Sequence, residues 1–270
     1  MRIAILADIH GNPIALDAVL ADIERRGGVD GYWILGDLCA IGFDPAGVLD
    51  RLSALPNARF VRGNADRYVT SGDLPEPTFE QVRENPDLIP LLAEVVGSFN
   101  WTKGYLAGRG WLDWLADLPT EQRITLPDGT RVLLIHSTLT SDTGRGLNPS
   151  LSDEDVRAEI ASCDANLICV GHFHLPMDRR LDGLRVINPG PVSNNFALDL
   201  RACYALLTAD ENGHTIQFRR VKYDLQVAIT AMQRTRNPGA AFSIRFLEGQ
   251  VKAVWMERWD GVSHAVTYTE

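Results

Sequence analysis

A chain of 270 residues, 45% hydrophobic and 23% charged, is long enough to bury a sizeable core and too apolar to remain disordered. Its 26 Lys and Arg against 35 Asp and Glu leave a formal charge of −9, which argues against a broad nucleic-acid surface but permits a phosphate or nucleotide pocket whose positive charge comes from a bound cation. No apolar run reaches the ~18 residues of a membrane span. The N-terminus lacks a signal-peptide pattern and the four cysteines form no CxxC pair, so a cytoplasmic location with reduced thiols is expected.

Ile3 to Ala7 reads as a buried strand. Asn12-Pro13 then offers an N-cap with proline at the first helical position, and Leu16, Val19, Leu20 and Ile23 follow at helical spacing until Gly27-Gly28. Tyr32 to Leu35 reads as a second strand. Asp44-Pro45 starts a second helix, with Val48, Leu49, Leu52 and Leu55 on one face, and Arg59 to Val61 is a third short strand. This β-α-β-α-β order predicts a largely parallel sheet with helices on its faces.

From about residue 70 to 120 the chain reads as a helical insertion, taken as a helical pair. Trp111, Trp114, Leu115 and Leu118 fall on one helix face, as packing residues rather than a base-stacking platform. Ile124 to Leu126 and Val132 to Ile135 predict a hairpin around Pro127-Asp128-Gly129. Ser152 caps a helix, and Leu167 to Val170 and Arg185 to Ile187 are further strands. Tyr204 to Thr208 and Thr215 to Val221 predict a second hairpin around Asn212-Gly213, and Asp224 caps a helix to about Thr235. A third hairpin is expected from Val251 to Trp255 and Val262 to Tyr268, around Asp260-Gly261. No repeat or linker divides the chain, so the expectation is one domain over 1–270 with a C-terminal tail at about 249–270.

The polar residues follow the strands. Asp8-Ile9-His10 follows the first, Gly36-Asp37 the second and Gly63-Asn64 the third; His136 ends the strand from Val132, and Gly171-His172-Phe173-His174 follows the strand from Leu167. Open α/β sheets bind ligands just beyond the carboxyl ends of their strands, so these side chains can converge. Two Asp, one Asn and four His suit borderline divalent ions. Seven donors exceed the needs of one tetrahedral zinc and fit two ions sharing a carboxylate. His214 and His264 stand outside this pattern and carry no role. Asn12 reads as a helix cap rather than a substrate contact.

The order Asp8-x-His10, Gly36-Asp37, Gly63-Asn64, His136, Gly171-His172-x-His174 resembles the calcineurin-like metallophosphoesterase superfamily over roughly residues 1–235. Asn188-Pro189-Gly190 and Arg201 to Leu207 are similar to its branch of small prokaryotic phosphodiesterases. The resemblance implies an α/β fold, a four-layer α-β-β-α sandwich with mixed sheets. It implies a first metal held by Asp8, His10 and His174, a second by Asn64, His136 and His172, and Asp37 between them. Two divalent ions follow, manganese foremost, with Fe, Zn, Ni or Co as alternatives. A phosphodiesterase or phosphatase activity with a metal-activated water as nucleophile follows as well.

Asp37, Asn64 and Asp66 are the catalytic candidates. Asn64, Arg67 and Arg145 are the candidate contacts to a phosphorylated small molecule or nucleotide. Many members of the superfamily carry His after Gly-Asn; here Ala65 stands in that position, followed by Asp66, a proton source only with a raised pKa. Other readings on the same site are a dinucleoside polyphosphate hydrolase, a protein phosphatase and a non-catalytic metal-binding scaffold. A metallo-β-lactamase-like hydrolase is disfavoured by the lack of an HxHxDH cluster. No membrane partner is expected. The hydrophobic tail leaves room for a homo-oligomer, by covering a sheet edge or joining a subunit interface.

Overall fold

A computed structural model describes residues 1–196, 199–251 and 266–268. The first strand, β1 (Arg2–Leu6), leads into α1 (Pro13–Arg25), where Asn12 accepts the Ala15 N–H and Pro13 opens the helix as expected. Strand β2 (Gly31–Ile34), helix α2 (Pro45–Ser53, capped by Asp44) and strand β3 (Ala58–Phe60) complete the opening β-α-β-α-β unit. Four helices then follow rather than the expected pair: α3 (Asn64–Ser71), α4 (Phe79–Glu84), α5 (Ile89–Ala107) and α6 (Leu112–Ala116). Helix α6 is too short to hold the whole tryptophan stripe, yet Trp111, Trp114, Leu115 and Leu118 all pack on the same apolar cluster.

The predicted hairpin forms from β4 (Glu121–Thr125) and β5 (Arg131–Ile135), and Ser152 caps α7 (Asp153–Ile160). Next come β6 (Leu167–Cys169), β7 (Met177–Leu181) and β8 (Leu184–Asn188), of which β7 had no counterpart in the sequence reading. The second hairpin is β9 (Ala202–Asp210) with β10 (Gly213–Val221). Helices α8 (Leu225–Arg234) and α9 (Ala240–Leu247) follow, the second also unforeseen. The expected third hairpin, like His264, lies mostly outside the described residues; Tyr268 makes an isolated bridge to Phe218.

The strands form two five-stranded mixed sheets, in the orders β10-β9-β1-β2-β3 and β4-β5-β6-β8-β7. Alternation along each strand builds the layers. Ala4 and Leu6 of β1 pack toward the helices with Leu16, Val19 and Leu49, whereas Ile3 and Ile5 face the second sheet. Val132 and Leu134 of β5 meet them there, while Leu133 and Ile135 pack outward with Val156 of α7. The result is α-β-β-α. Helix α5 contributes Val95, Phe99 and Leu106 to the same cluster as α1 and α2, so it shares the main core. Burial of each such aliphatic or aromatic side chain stabilises by about 1.5–3 kcal/mol. No helix among the described residues is long and apolar enough to cross a membrane.

Candidate metal centre

The ligand-type residues follow β1, β2, β3, β5 and β6. These are the strands that run parallel within their sheets, which sends their carboxyl ends the same way. The loops after β1 and β2 stay paired past the strand ends, with the Asp8 N–H donating to Gly36 O at 3.1 Å and the His10 N–H to Asp37 O at 3.0 Å. Across the sheets, the His172 N–H donates to Asp8 Oδ1 at 3.0 Å, and between neighbouring loops of the second sheet the Gly171 N–H donates to His136 O at 2.9 Å. Residues far apart in sequence thus meet in one cleft.

One half of the centre is Asp8, His10, Asp37 and His174, whose donor atoms all lie within 4.8 Å of one another. In the other half, His136 Nε2 and His172 Nδ1 each lie 2.9 Å from Asn64 Oδ1. Asp37 stands between the halves: its Oδ2 is 3.7 Å from His10 Nε2 and its Oδ1 is 3.5 Å from His136 Nε2. All seven residues singled out in the sequence are therefore together.

The local backbone shows what this convergence requires. Asp8, His10, Asp37, His172 and His174 all have φ between +48° and +75°, in the left-handed region that non-glycine residues rarely enter. Such strain persists only where surrounding structure holds it, and it gathers at functional sites. Two glycines give the centre its closeness. A Cβ on Gly36 would meet Gly63 N at 2.6 Å and His136 Nδ1 at 2.7 Å; one on Gly63 would meet Asp37 Oδ1 at 2.1 Å.

The hydrogen bonds test whether a cation fits. His10 Nδ1 lies 3.0 Å from Ala40 O, His136 Nδ1 2.7 Å from Leu35 O, His174 Nδ1 2.6 Å from Asn194 O and His172 Nε2 2.9 Å from Gly144 O. A carbonyl only accepts, so each of these nitrogens carries the proton, and the other nitrogen turns a lone pair into the centre. His10 Nε2 and His174 Nε2 then face each other at 3.0 Å, lone pair to lone pair. Without a cation this contact is repulsive; with one it becomes shared coordination. A further proton is not the remedy, because burial holds His10 down at about 4 and His174 well below the usual imidazole range. Asp8 Oδ2 is buried with no hydrogen-bond partner among the described residues. Burial, then repulsion from Asp37, pushes the Asp8 carboxyl well up, and burial raises Asp37 to about 6. Crowded carboxylates and neutral imidazoles with unmet lone pairs are the donor set that divalent cations satisfy.

The family model for the calcineurin-like phosphoesterase superfamily domain matches residues 1–212. The chain belongs to this superfamily. An uncharacterized protein of Methanocaldococcus jannaschii is 27% identical over 254 residues, covering 87% of this chain and 93% of that protein. Among solved structures, a metallophosphoesterase from Sphaerobacter thermophilus superposes with a TM-score of 0.70 at 27% identity, covering 92% of this chain and 100% of that one. A hypothetical protein of Pyrococcus horikoshii gives a TM-score of 0.76 at 21% identity, covering 93% and 99%, a likeness of fold.

Two candidates of this superfamily member, Asp66 and Arg67, sit differently from expectation. Asp66 is fully buried and does not face the cleft: its Oδ2 accepts from the Asp37 and Gly63 N–H groups at 2.9 and 3.0 Å, and its Oδ1 from the Leu38 N–H at 2.9 Å. Burial, then Asp37, raises its pKa to about 7, but its oxygens are spent on holding the Asp37 loop to the start of α3. It is a positioning residue, not a proton donor to substrate. Arg67 does not reach freely into the cleft; Asp142 clamps its guanidinium at 2.7 and 3.0 Å and Asp73 at 2.7 Å. Arg145 is exposed, and among the described residues its guanidinium has no hydrogen-bond partner; its loop matters instead through Gly144 O on His172.

Ala65 is 2% exposed and packs in the cluster between sheet and helices, while its N–H donates to Asp37 Oδ1 at 2.8 Å. Other supports were missed by sequence reasoning. Asn194 supplies the carbonyl that orients His174, and Asn188 Nδ2 donates to Gly171 O at 2.6 Å. Asn188 belongs to the Asn-Pro-Gly segment that signalled the branch, so a cue to its place existed; Asn194 had none.

Proposed function

We propose that the chain is a phosphoesterase working with two divalent cations, manganese foremost, and that phosphodiesters are its best substrates. The observation that carries this reading is Asp37, one carboxylate oxygen turned to each half of the centre at 3.7 and 3.5 Å from the nearest imidazole nitrogens. Asp8, His10 and His174 would hold one cation, Asn64, His136 and His172 the other, and Asp37 both. When bound, the pair would supply a water of lowered pKa and positive charge for the phosphoryl oxygens.

The chain's own groups do the rest. The carbonyls of Leu35, Ala40 and Asn194 hold three imidazoles with the proton on Nδ1, and that of Gly144 holds His172 with the proton on Nε2, so no reorientation accompanies reaction. Asn64 turns its Oδ1 to the two histidines, which leaves its Nδ2 to donate to a phosphoryl oxygen. No side chain at position 65 can protonate a departing oxygen, and Asp66 is turned away. Leaving groups that need no proton, aryl oxides and phosphates, are therefore favoured over basic alkoxides. General acid help is worth typically ~10²–10⁴-fold, which sets the scale of the expected discrimination.

The test is a panel of aryl and alkyl phosphomonoesters, phosphodiesters and dinucleoside polyphosphates on manganese-reconstituted protein, with metal content measured beside it. Two equivalents per chain, loss of activity to a chelator and a steep dependence on leaving-group pKa are expected. Metal content near zero, with no turnover of any ester, would sink the hydrolase reading and favour a scaffold.

A further inference from the structure

Beside His136, on the open side of the centre, lies a cavity of about 410 Å³. Its walls are unusually rich in hydroxyls: Thr120, Ser137, Thr138, Thr140, Ser141 and Thr143. Four charged residues also line it, Arg62, Arg67, Glu121 and Asp142. Three of them are committed elsewhere. Asp142 is taken up by Arg67 at 2.7 Å, and Glu121 by Arg123 at 3.0 Å. Arg62 is not. Among the described residues its Nη1 makes one long hydrogen bond, 3.3 Å to Ala116 O, its Nε is buried with no partner, and its charge is felt by Asp142, whose two oxygens Arg67 holds. Its own main-chain N–H donates to Pro119 O at 2.7 Å, which holds it at the exit of β3, directly before Gly63-Asn64.

A second orphan lines the same cavity. Ser137 is 1% exposed, yet among the described residues its Oγ has no hydrogen-bond partner. A buried donor left unpaired is costly, so an unpaired hydroxyl and an underused guanidinium on one cavity wall call for a ligand that accepts from both. Phosphoryl oxygens do so: they match the guanidinium fork and take hydroxyl hydrogens as well. The hydroxyl-rich remainder of the wall suits a polar, sugar-like body, and the volume falls within the range of small-molecule sites.

We propose that this cavity binds the far end of the substrate: a second phosphoryl group, on the hydroxyl-bearing body that stays with the esterified phosphate, held by Arg62 and Ser137. The proposal rests on the hydrolase reading above only for the word substrate; the binding site stands on its own. It turns a nonspecific esterase centre into one that prefers esters carrying a remote phosphate. Arg67 holds both oxygens of Asp142 on the wall, which leaves the Arg62 guanidinium with hydrogen-bonding capacity for the phosphate.

The test is calorimetric titration of the full chain with ribose 5-phosphate and with ribose, chelator present so that the metal centre cannot take the phosphate. Binding of the phosphorylated sugar alone is expected. Arg62→Gln should weaken it by at least tenfold, Ser137→Ala by roughly two- to fivefold, and His10→Ala should leave it unchanged; circular dichroism and melting confirm that each variant is folded. Equal affinity for ribose, no binding at all, or binding lost in His10→Ala but kept in Arg62→Gln would each overturn the proposal. With manganese restored, Arg62→Gln should raise KM for the nitrophenyl ester of thymidine 5′-phosphate that also bears a 3′-phosphate by about tenfold at constant kcat, and change the same ester without the 3′-phosphate less than twofold. An equal change for both would also overturn it. If the calorimetry holds and the manganese-loaded wild type cleaves no ester, the hydrolase reading fails while the phosphate site stands.

Discussion

The two halves of the metal centre are built to different ends. Asp8, His10 and His174 are 0%, 2% and 5% exposed, each in the left-handed backbone region, with Phe196 stacked on His174 at 4.7 Å. Asn64 and His172 are partly open, and His136 borders a cavity. The closed half strips its groups of water, so their unmet lone pairs and charge make a strong demand for a cation. The open half gives up some of that demand for access. A centre that must both hold cations and stay reachable from solvent has reason to divide the work in this way, with Asp37 joining the parts.

The largest effect is expected where the halves meet. Asp37→Asn keeps the shape but removes the charge that faces both, so turnover should fall by at least ~10²-fold, the scale on which even outer-shell partners alter metal affinity or activity. Elemental analysis of the folded variant should show less than full occupancy of both sites. Two retained equivalents would assign the joining role elsewhere.

Asp66→Ala attacks the support of the same loop. Three N–H groups, of Asp37, Leu38 and Gly63, lose their acceptor. Unpaired buried donors of this kind cost about 1–3 kcal/mol each, offset by whatever water enters. Denaturant unfolding should show a loss in that range or above, and kcat should fall through misplacement of Asp37. A fall in kcat with stability and metal content unchanged would instead restore Asp66 as a group acting on substrate.

Ala65→His asks whether the open half has room for an imidazole at the position where many relatives carry one. Position 65 packs in the apolar core, so overpacking should destabilise by about 1–3 kcal/mol without rescuing alkyl substrates. Selective gain on alkyl esters with unchanged melting would mean that the helix start can turn to present the ring to the cleft.

The smallest effect carries the sharpest sign. His174→Gln puts an amide donor against His10 Nε2, where two lone pairs now meet at 3.0 Å. With chelator present the variant should melt slightly higher, by about 1 kcal/mol of stability, the worth of a typical hydrogen bond. With saturating manganese it should melt lower than the wild type, because ligands that bind only the folded state stabilise it and the variant binds less. A lower melting point in both conditions would deny that the closed half is strained without metal.

Much of this was readable in the chain because the signals are local. Asn12-Pro13 and Asp44-Pro45 mark helix starts by capping chemistry that acts within three residues. Strands β1, β2 and β5 are apolar runs, and the Asp or His that follows each is conspicuous against them. What failed was equally physical. Strand β7 reads Met-Asp-Arg-Arg-Leu, and its buried Arg179 is stabilised by Leu151 O at 2.9 Å and by Asp153, partners invisible to any pattern within the strand. Helix α9 lies just beyond Pro238-Gly239 and is tied to α5 by the ion pair of Arg245 with Glu94. Asp66 could have been placed by a local rule, since it is the third helical residue after Gly63 and returns a bond to that N–H. Arg67 and Arg145 could not, because nothing in their neighbourhood says which carboxylate an arginine will find.

Local rules therefore sufficed for the ligand types, their order along the chain and the strands that carry them. Periodicity, capping and a polar residue after an apolar run are properties of a few adjacent residues. Which oxygen of Asp37 faces which histidine, which carbonyl fixes each imidazole, that Arg67 is clamped by two carboxylates while Arg62 makes one long bond to a carbonyl, and that the Ser137 hydroxyl finds no partner among the described residues were decided by the packing of the two sheets. Those outcomes depend on groups brought within 3 to 4 Å from positions up to 164 residues apart, as His10 and His174 are, and short-range chemistry acts across that separation only once the chain has closed.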